Sequence, residues 1–128
     1  MKKILIATDG SSSGLEAVEF GLELAAEQGA EVTFVHVGPM LGPSVRIPVD
    51  AAAELAAARG VSATCEVFDG VPVDEIVAHA DTIDADLIVV GSPGALLGSV
   101  SRGVLDEARR PVLVVRTARK RVPAPALA

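Results

Sequence analysis

The sequence predicts a single α/β domain: an open, Rossmann-like sheet of five parallel strands in the order 3-2-1-4-5, with helices on both faces. Three observations predict it. Short apolar runs alternate with helical patterns along the 128 residues, which calls for parallel strands joined by right-handed crossovers. The runs are nearly continuous in Val, Ile and Leu, as strands buried on both sides require. Half of the residues are hydrophobic and only 2% are aromatic, so the core must be aliphatic.

Each element follows from local pattern. Lys3–Thr8 reads as a buried strand. Ser11–Gln28 reads as a helix, with Leu15, Val18, Leu22 and Ala25 on one face, Ser13 and Glu16 as a capping box, and Gly29 as the stop. Glu31–Val37 is a second strand, and Gly38–Pro48 a loop with Gly and Pro at both ends. Val49–Arg59 is a short alanine-rich helix closed by Gly60, followed by a third strand, Val61–Phe68. Pro72 suits the first turn of the next helix, whose inner face is Val73, Ile76, Val77 and Ala80. Asp86–Gly91 is a fourth strand, Ser99–Arg109 a helix, and Val112–Arg116 the fifth strand. The predicted core holds Ile4, Ile6, Val18, Leu22, Val32, Phe34, Ile76, Leu87, Val89, Val104, Val112 and Val114. Residues 1–116 form the domain, and 117–128, with Arg119, Lys120, Arg121, Pro123 and Pro125, read as a flexible tail.

The totals exclude some functions. A net charge of −6 disfavours a nucleic-acid binder, which needs a basic face, and obliges any anionic ligand to find local attraction. Cys65, the only cysteine, excludes an intrachain disulfide and reads as a buried, inert thiol. Asp9 interrupts the first apolar run too soon for a signal-peptide core, and no run approaches the ~20 residues that span a bilayer, so a cytoplasmic location without membrane contact is expected. His36 reads as a packed or hydrogen-bonded strand residue and His79 as an exposed helix residue. Asp74, Glu75, Asp81, Asp84 and Asp86 read as solvated faces. A phospho-receiver would need an acidic cluster at the first strand and a lysine after the fifth. Here Asp9 stands alone and the last strand ends in Arg116.

The chemistry concentrates at the carboxyl ends of the strands, where doubly wound sheets bind ligands: Asp9, Val37 and Gly91. Gly91-Ser-Pro-Gly94 and Gly98-Ser-Val-Ser101 lie between a strand and a helix. Glycines let backbone approach an anion, and first-turn N–H groups point at it. The plain structural alternative is a tight turn with glycines chosen for backbone angles.

Taken in order, Lys3-Ile-Leu-Ile-Ala-Thr-Asp9-Gly-Ser11, Val35-His-Val37, Gly70-Val-Pro72 with Ile76, Ala85-Asp-Leu-Ile-Val-Val-Gly-Ser92, and Gly98-Ser-Val-Ser101 with Pro111-Val-Leu-Val-Val-Arg116 resemble the universal stress protein family. The resemblance runs along nearly the whole chain. It implies a dimer and, in one branch, bound ATP. In that branch the residue matching Asp9 holds the adenosine, beside a backbone contact at the position of Val37. A second role for Asp9 is to cap the following helix, and one residue can do both.

The same branch carries G-x-x-G, about nine residues, then G-[S/T]. Here only Ala95-Leu-Leu97 separates Gly94 from Gly98, so six residues that normally wrap a triphosphate are missing. The stretch from Gly38 to Gly60 is also brief for the family, and Gly14 replaces a common serine. The nearest cation is Arg102.

The resemblance thus implies an adenine-nucleotide-binding stress-response or signalling protein. Adenosine is expected near Thr8, Asp9 and Val37, and phosphates near Gly91, Gly94, Gly98, Ser99, Val100 and Ser101. The ligand is ATP, ADP or AMP, with Mg accompanying ATP and the shorter nucleotides better retained. The alternative is a nucleotide-free dimeric scaffold acting through protein contacts. No catalytic residue is assigned, and at most slow ATP hydrolysis is expected. The homodimer is expected to form through the last strand, at Val112 and Val114, with a further protein partner unidentified.

Overall fold

The computed structural model describes residues 1–38, 43–94 and 97–116. Strands β1 (Lys3–Ala7), β2 (Glu31–Val37), β3 (Ala63–Phe68), β4 (Leu87–Ser92) and β5 (Val112–Arg116) alternate with helices α1 (Ser12–Gln28), α2 (Ile47–Ala58), α3 (Pro72–Thr82) and α4 (Ser99–Glu107). The strands form one parallel sheet in the order β3-β2-β1-β4-β5. A 3-10 turn, Pro43–Arg46, precedes α2.

Strand alternation sorts the core onto two faces. Ile4, Ile6, Val32, Phe34, Leu87 and Val89 point to one side and bury Val18 and Leu22 of α1 with Val49 and Ala52 of α2. Leu5, Val35, Ile88 and Val90 point to the other and bury Ile76 and Ala80 of α3 with Val104 of α4. Each fully buried Ile or Leu contributes roughly 1.5–3 kcal/mol relative to exposure.

Several expectations change in detail. Ser11, not Ser13, caps α1: its hydroxyl accepts from the Gly14 N–H at 3.2 Å. Leu15 is 50% exposed, because the buried stripe of α1 runs through Gly14, Ala17, Val18, Gly21, Leu22 and Ala25. The glycines on that stripe let the helix settle close to β1 and β4, which a reading of apolar spacing alone passes over. Gly29 ends α1 as expected, at φ +64°, its N–H donating to the Ala25 carbonyl.

α2 starts at Ile47, two residues earlier than predicted, with Pro48 in its first turn. Positions 39–42 of the predicted loop lie outside the described residues. Val61 donates to the Ala56 carbonyl and so closes α2 rather than opening β3. β4 reaches Ser92 because Ser92 pairs with Arg116. α4 stops at Glu107, since Ala108 turns extended.

Arg110, just ahead of β5, bonds Asp81, Asp84 and the Ala85 carbonyl at 2.8–3.0 Å, tying the start of β5 to the end of α3. Asp81 and Asp84 are therefore exposed ion-pair partners, not merely solvated. Asp86 likewise accepts from the Lys2 and Lys3 N–H groups at 2.7 and 2.9 Å, which hold its carboxyl below the usual range. Val112 and Val114 are only half-buried, because β5 has a neighbouring strand on one side alone. Cys65 is half-buried, its thiol donating to the Val49 carbonyl at 3.4 Å, and burial pushes its pKa up. His79 is not exposed: it packs on Phe68 with ring centres 4.9 Å apart, and its Nε2 is buried without a hydrogen-bond partner among the described residues. The tail at 117–128 lies outside the described residues. No helix among the described residues is long and apolar enough to cross a membrane.

Candidate functional site

Two adjoining cavities open at the carboxyl ends of β1, β2 and β4. The inner one, about 180 Å³, is lined by Ala7, Thr8, Asp9, Ser13, Gly14, Val35, His36, Val37, Pro72, Ile76, Val90, Gly91 and Val100. The outer one, about 510 Å³, is lined by Asp9, Ser11, Ser12, Ser13, Gly91, Pro93, Gly94, Gly98, Ser99, Val100 and Ser101. Asp9, Ser13, Gly91 and Val100 border both, so the two are halves of one cleft.

All nine residues predicted from the sequence line this cleft. Thr8 and Val37 border the inner half. Gly94, Gly98, Ser99 and Ser101 border the outer half, and Asp9, Gly91 and Val100 border both. Ala95 and Leu96 of the short bridge lie outside the described residues. Ser11, Ser13, Gly14, Pro72, Ile76 and Val90 also line the cleft and stand outside the predicted set. Their signal was available in part: three serines directly follow Asp9, and Pro72 opens a helix beside the end of β2.

Asp9 Oδ1 accepts from the Ser11 N–H at 2.9 Å and from the Ser11 hydroxyl, which in turn meets the Ser13 hydroxyl at 3.2 Å. Burial alone would push the Asp9 carboxyl up. The bonds from Ser11 outweigh it and, with a backbone bond of its own and the nearby His36, hold it below the usual carboxylate range. Asp9 is therefore ionised at neutral pH and helps to seal the start of α1. Gly14 makes room for it. A Cβ there would stand 2.8 Å from Asp9 Oδ1 and 3.0 Å from Thr8 Oγ1. The glycine thus bears on where the carboxylate sits as much as on the helix start.

His36 bonds through Nδ1 to the Thr8 carbonyl at 3.1 Å. A carbonyl only accepts, so Nδ1 carries the proton, and the ring braces β2 against the end of β1.

The two helix N-termini at the cleft differ. α1 is capped by Ser11 and neutralised by Asp9. α4 has Gly98 at its N-cap position, which has no side chain to cap it. Its first closing bond is Arg102 N–H to Gly98 carbonyl, 3.0 Å, so the N–H groups of Ser99, Val100 and Ser101 have no intrahelical acceptor. These residues line the outer cavity. Gly94, at φ +68°, and the Gly98 N–H, donating to buried Ser92 Oγ at 2.8 Å, shape the turn that brings them there. The Ser101 hydroxyl faces inward and donates to the Gly91 carbonyl at 2.9 Å, so only its backbone N–H serves the cavity. Arg102 is exposed and does not line the cleft.

Among the described lining residues Asp9 is the single carboxylate, and neither Lys nor Arg takes part. No three His, Cys, Asp or Glu side chains gather to hold a metal among the described residues. A magnesium ion arriving with a nucleotide would draw its ligands mainly from phosphate and water.

The fold is thus a doubly wound α/β sheet with an apolar pocket, an acid at the end of β1 and an uncapped helix start gathered at the carboxyl ends of its strands. The sequence model of the universal stress protein family matches residues 1–116, and the chain belongs to that family. A universal stress protein of Methanocaldococcus jannaschii is 37% identical, across 93% of this chain and 84% of its own. Among solved structures, a universal stress protein in complex with cAMP is 29% identical with a TM-score of 0.77, covering 89% of this chain and 95% of that one. A universal stress protein from Archaeoglobus fulgidus in complex with dAMP is 27% identical with a TM-score of 0.73, covering 90% and 98%.

Proposed function

We propose that this chain is an adenine-nucleotide-binding stress-response protein, with base and ribose in the inner half of the cleft and phosphate at the start of α4. The observation that carries this reading is the uncapped α4 N-terminus in the same cleft as the ionised Asp9 and an apolar pocket. The apolar walls at Val35, Val37, Ile76 and Val90 suit a base, and Asp9 can accept from a ribose hydroxyl. Nucleotide complexes of related structures, with cAMP and with dAMP, support the same ligand class.

Charge sets the order of preference. A cleft with a carboxylate, no cation among its described lining, and a chain of net charge −6 tolerates one to about three negative charges better than about four. AMP, ADP and cyclic phosphodiesters are therefore favoured over ATP. Calorimetric titration with AMP, ADP, ATP and adenosine checks this. AMP should bind more tightly than both ATP and adenosine. No heat from any of them at millimolar concentration ends the nucleotide reading.

A second reading, a dimeric scaffold, is favoured by β5. Its outer edge has no strand partner among the described residues, and Val112, Leu113, Val114 and Val115 are all half-buried. Pairing with β5 of a second copy across a two-fold axis would cover both edge and side chains. Light scattering at micromolar concentration should give a dimer mass, and Val114→Lys should give a monomer. A monomeric unmodified protein rules this reading out. Dimerisation itself is compatible with nucleotide binding, since the cleft and the β5 edge are different surfaces; the scaffold reading differs in leaving the cleft empty of nucleotide.

A further inference from the structure

A shallow groove of about 660 Å³ runs along the outer side of α1, away from the nucleotide cleft. Glu16, Glu19, Glu23 and Glu27 follow one another along it at steps of three and four residues, which places them on one side of the helix. Glu19 pairs with Arg59 at 2.6 Å, while Glu16, Glu23 and Glu27 have no partner among the described residues. The groove is not purely acidic: Arg59, paired with Glu19, lines it, as do Phe20, 48% exposed, and Val115 of β5, and its carboxylates still outnumber its one described cation.

We propose that this groove is the docking site of the chain's own C-terminal segment, residues 117–128. Charge complementarity carries the assignment. The segment holds Arg119, Lys120 and Arg121 in succession and no acid, then Val122, Pro123, Ala124, Pro125, Ala126, Leu127 and Ala128, all apolar. Cations followed by apolar residues match a groove of carboxylates around an exposed phenylalanine.

Position agrees. The segment starts two residues after Val115, itself part of the groove. Glu16 to Glu27 spans about 17 Å of helix, and twelve residues reach about 40 Å when extended. Pro123 and Pro125 lack N–H groups and make poor partners for the edge of β5, so side-chain docking on α1 is favoured over strand addition. The β5 edge stays open to a second copy.

Zero-length carbodiimide coupling on the full chain tests this, because Lys2, Lys3 and Lys120 are the only lysines and the N-terminal pair is sequence-separated from the tail. A mixture of isotope-labelled and unlabelled protein, digested and read by mass spectrometry, separates coupling within a chain from coupling between chains. The expected products join Lys120 to Glu16, Glu23 or Glu27 within one chain. Their yield should fall at least about twofold when salt is raised to about 0.5 M, which screens such pairs, and fall similarly in Arg119→Glu/Arg121→Glu. Coupling of Lys120 mainly to acids elsewhere, such as Asp74 or Glu107, or no coupling at all, overturns the proposal. Products that mix the two labels assign the groove to the tail of another copy and overturn it equally.

Discussion

Gly98→Val should weaken AMP binding by about a hundredfold or more while leaving the melting temperature nearly unchanged. The loss follows from the start of α4. A branched side chain at the cap would occupy the space in which the proposed phosphate would meet the Ser99, Val100 and Ser101 N–H groups. Losing two charge-assisted hydrogen bonds, at ~1.5–3 kcal/mol each, corresponds to at least that factor. The fold is expected to tolerate the change. Gly98 has φ −65°, ordinary for any residue, and a Cβ there would stand 3.6 Å from Pro93 Cδ and 3.7 Å from Ser92 Oγ, normal contact distances. Calorimetry and thermal melts on both proteins check the two halves of the statement. Equal heats from wild type and variant would sink the phosphate site. A collapsed melting temperature would show that Gly98 serves the fold first.

Gly91→Ala should do the reverse and damage the fold. The strand β4 crosses the start of α1 so closely that a Cβ at Gly91 would overlap the Ser13 carbonyl and approach the Gly14 nitrogen at 3.1 Å. These are backbone atoms, so no rotamer relieves the clash, and α1 must move from β1 and β4. Overpacking of this kind costs about 3 kcal/mol, or roughly 10 °C of melting temperature in a domain of this size. Gly94→Ala is the internal contrast. Gly94 has φ +68° but open space around it, so only the backbone cost of about 1 kcal/mol applies. Circular-dichroism melts of the two variants separate a packing glycine from a turn glycine within one motif. If Gly91→Ala melted as Gly94→Ala does, the close crossing would be wrong.

Much of this protein is legible from the chain by itself. The five strands follow from short continuous apolar runs, the four helices from spacing near 3.6 residues, and the parallel order from the doubly wound architecture that their alternation calls for. So does the placing of Asp9, Val37 and Gly91 at one rim, because every parallel strand ends on the same side of the sheet. Tertiary structure decided the rest. That Gly91 is held by the Ser13 backbone, and that Gly14 makes room for Asp9, depends on how closely α1 lies on β1 and β4; no spacing along the chain encodes that distance. That α4 is uncapped while α1 is sealed by Asp9 and Ser11 required the side-chain bonds themselves. Val112 and Val114 look like core residues in sequence and are half-buried in the fold, because burial at a sheet edge depends on what lies beyond it. Pattern fixes which segments are strands and which are helices, a short-range property, and their alternation calls for the parallel sheet. Contact between segments far apart in the chain fixes which glycine packs, which helix end stays open and which apolar strand is left half-buried at the sheet edge.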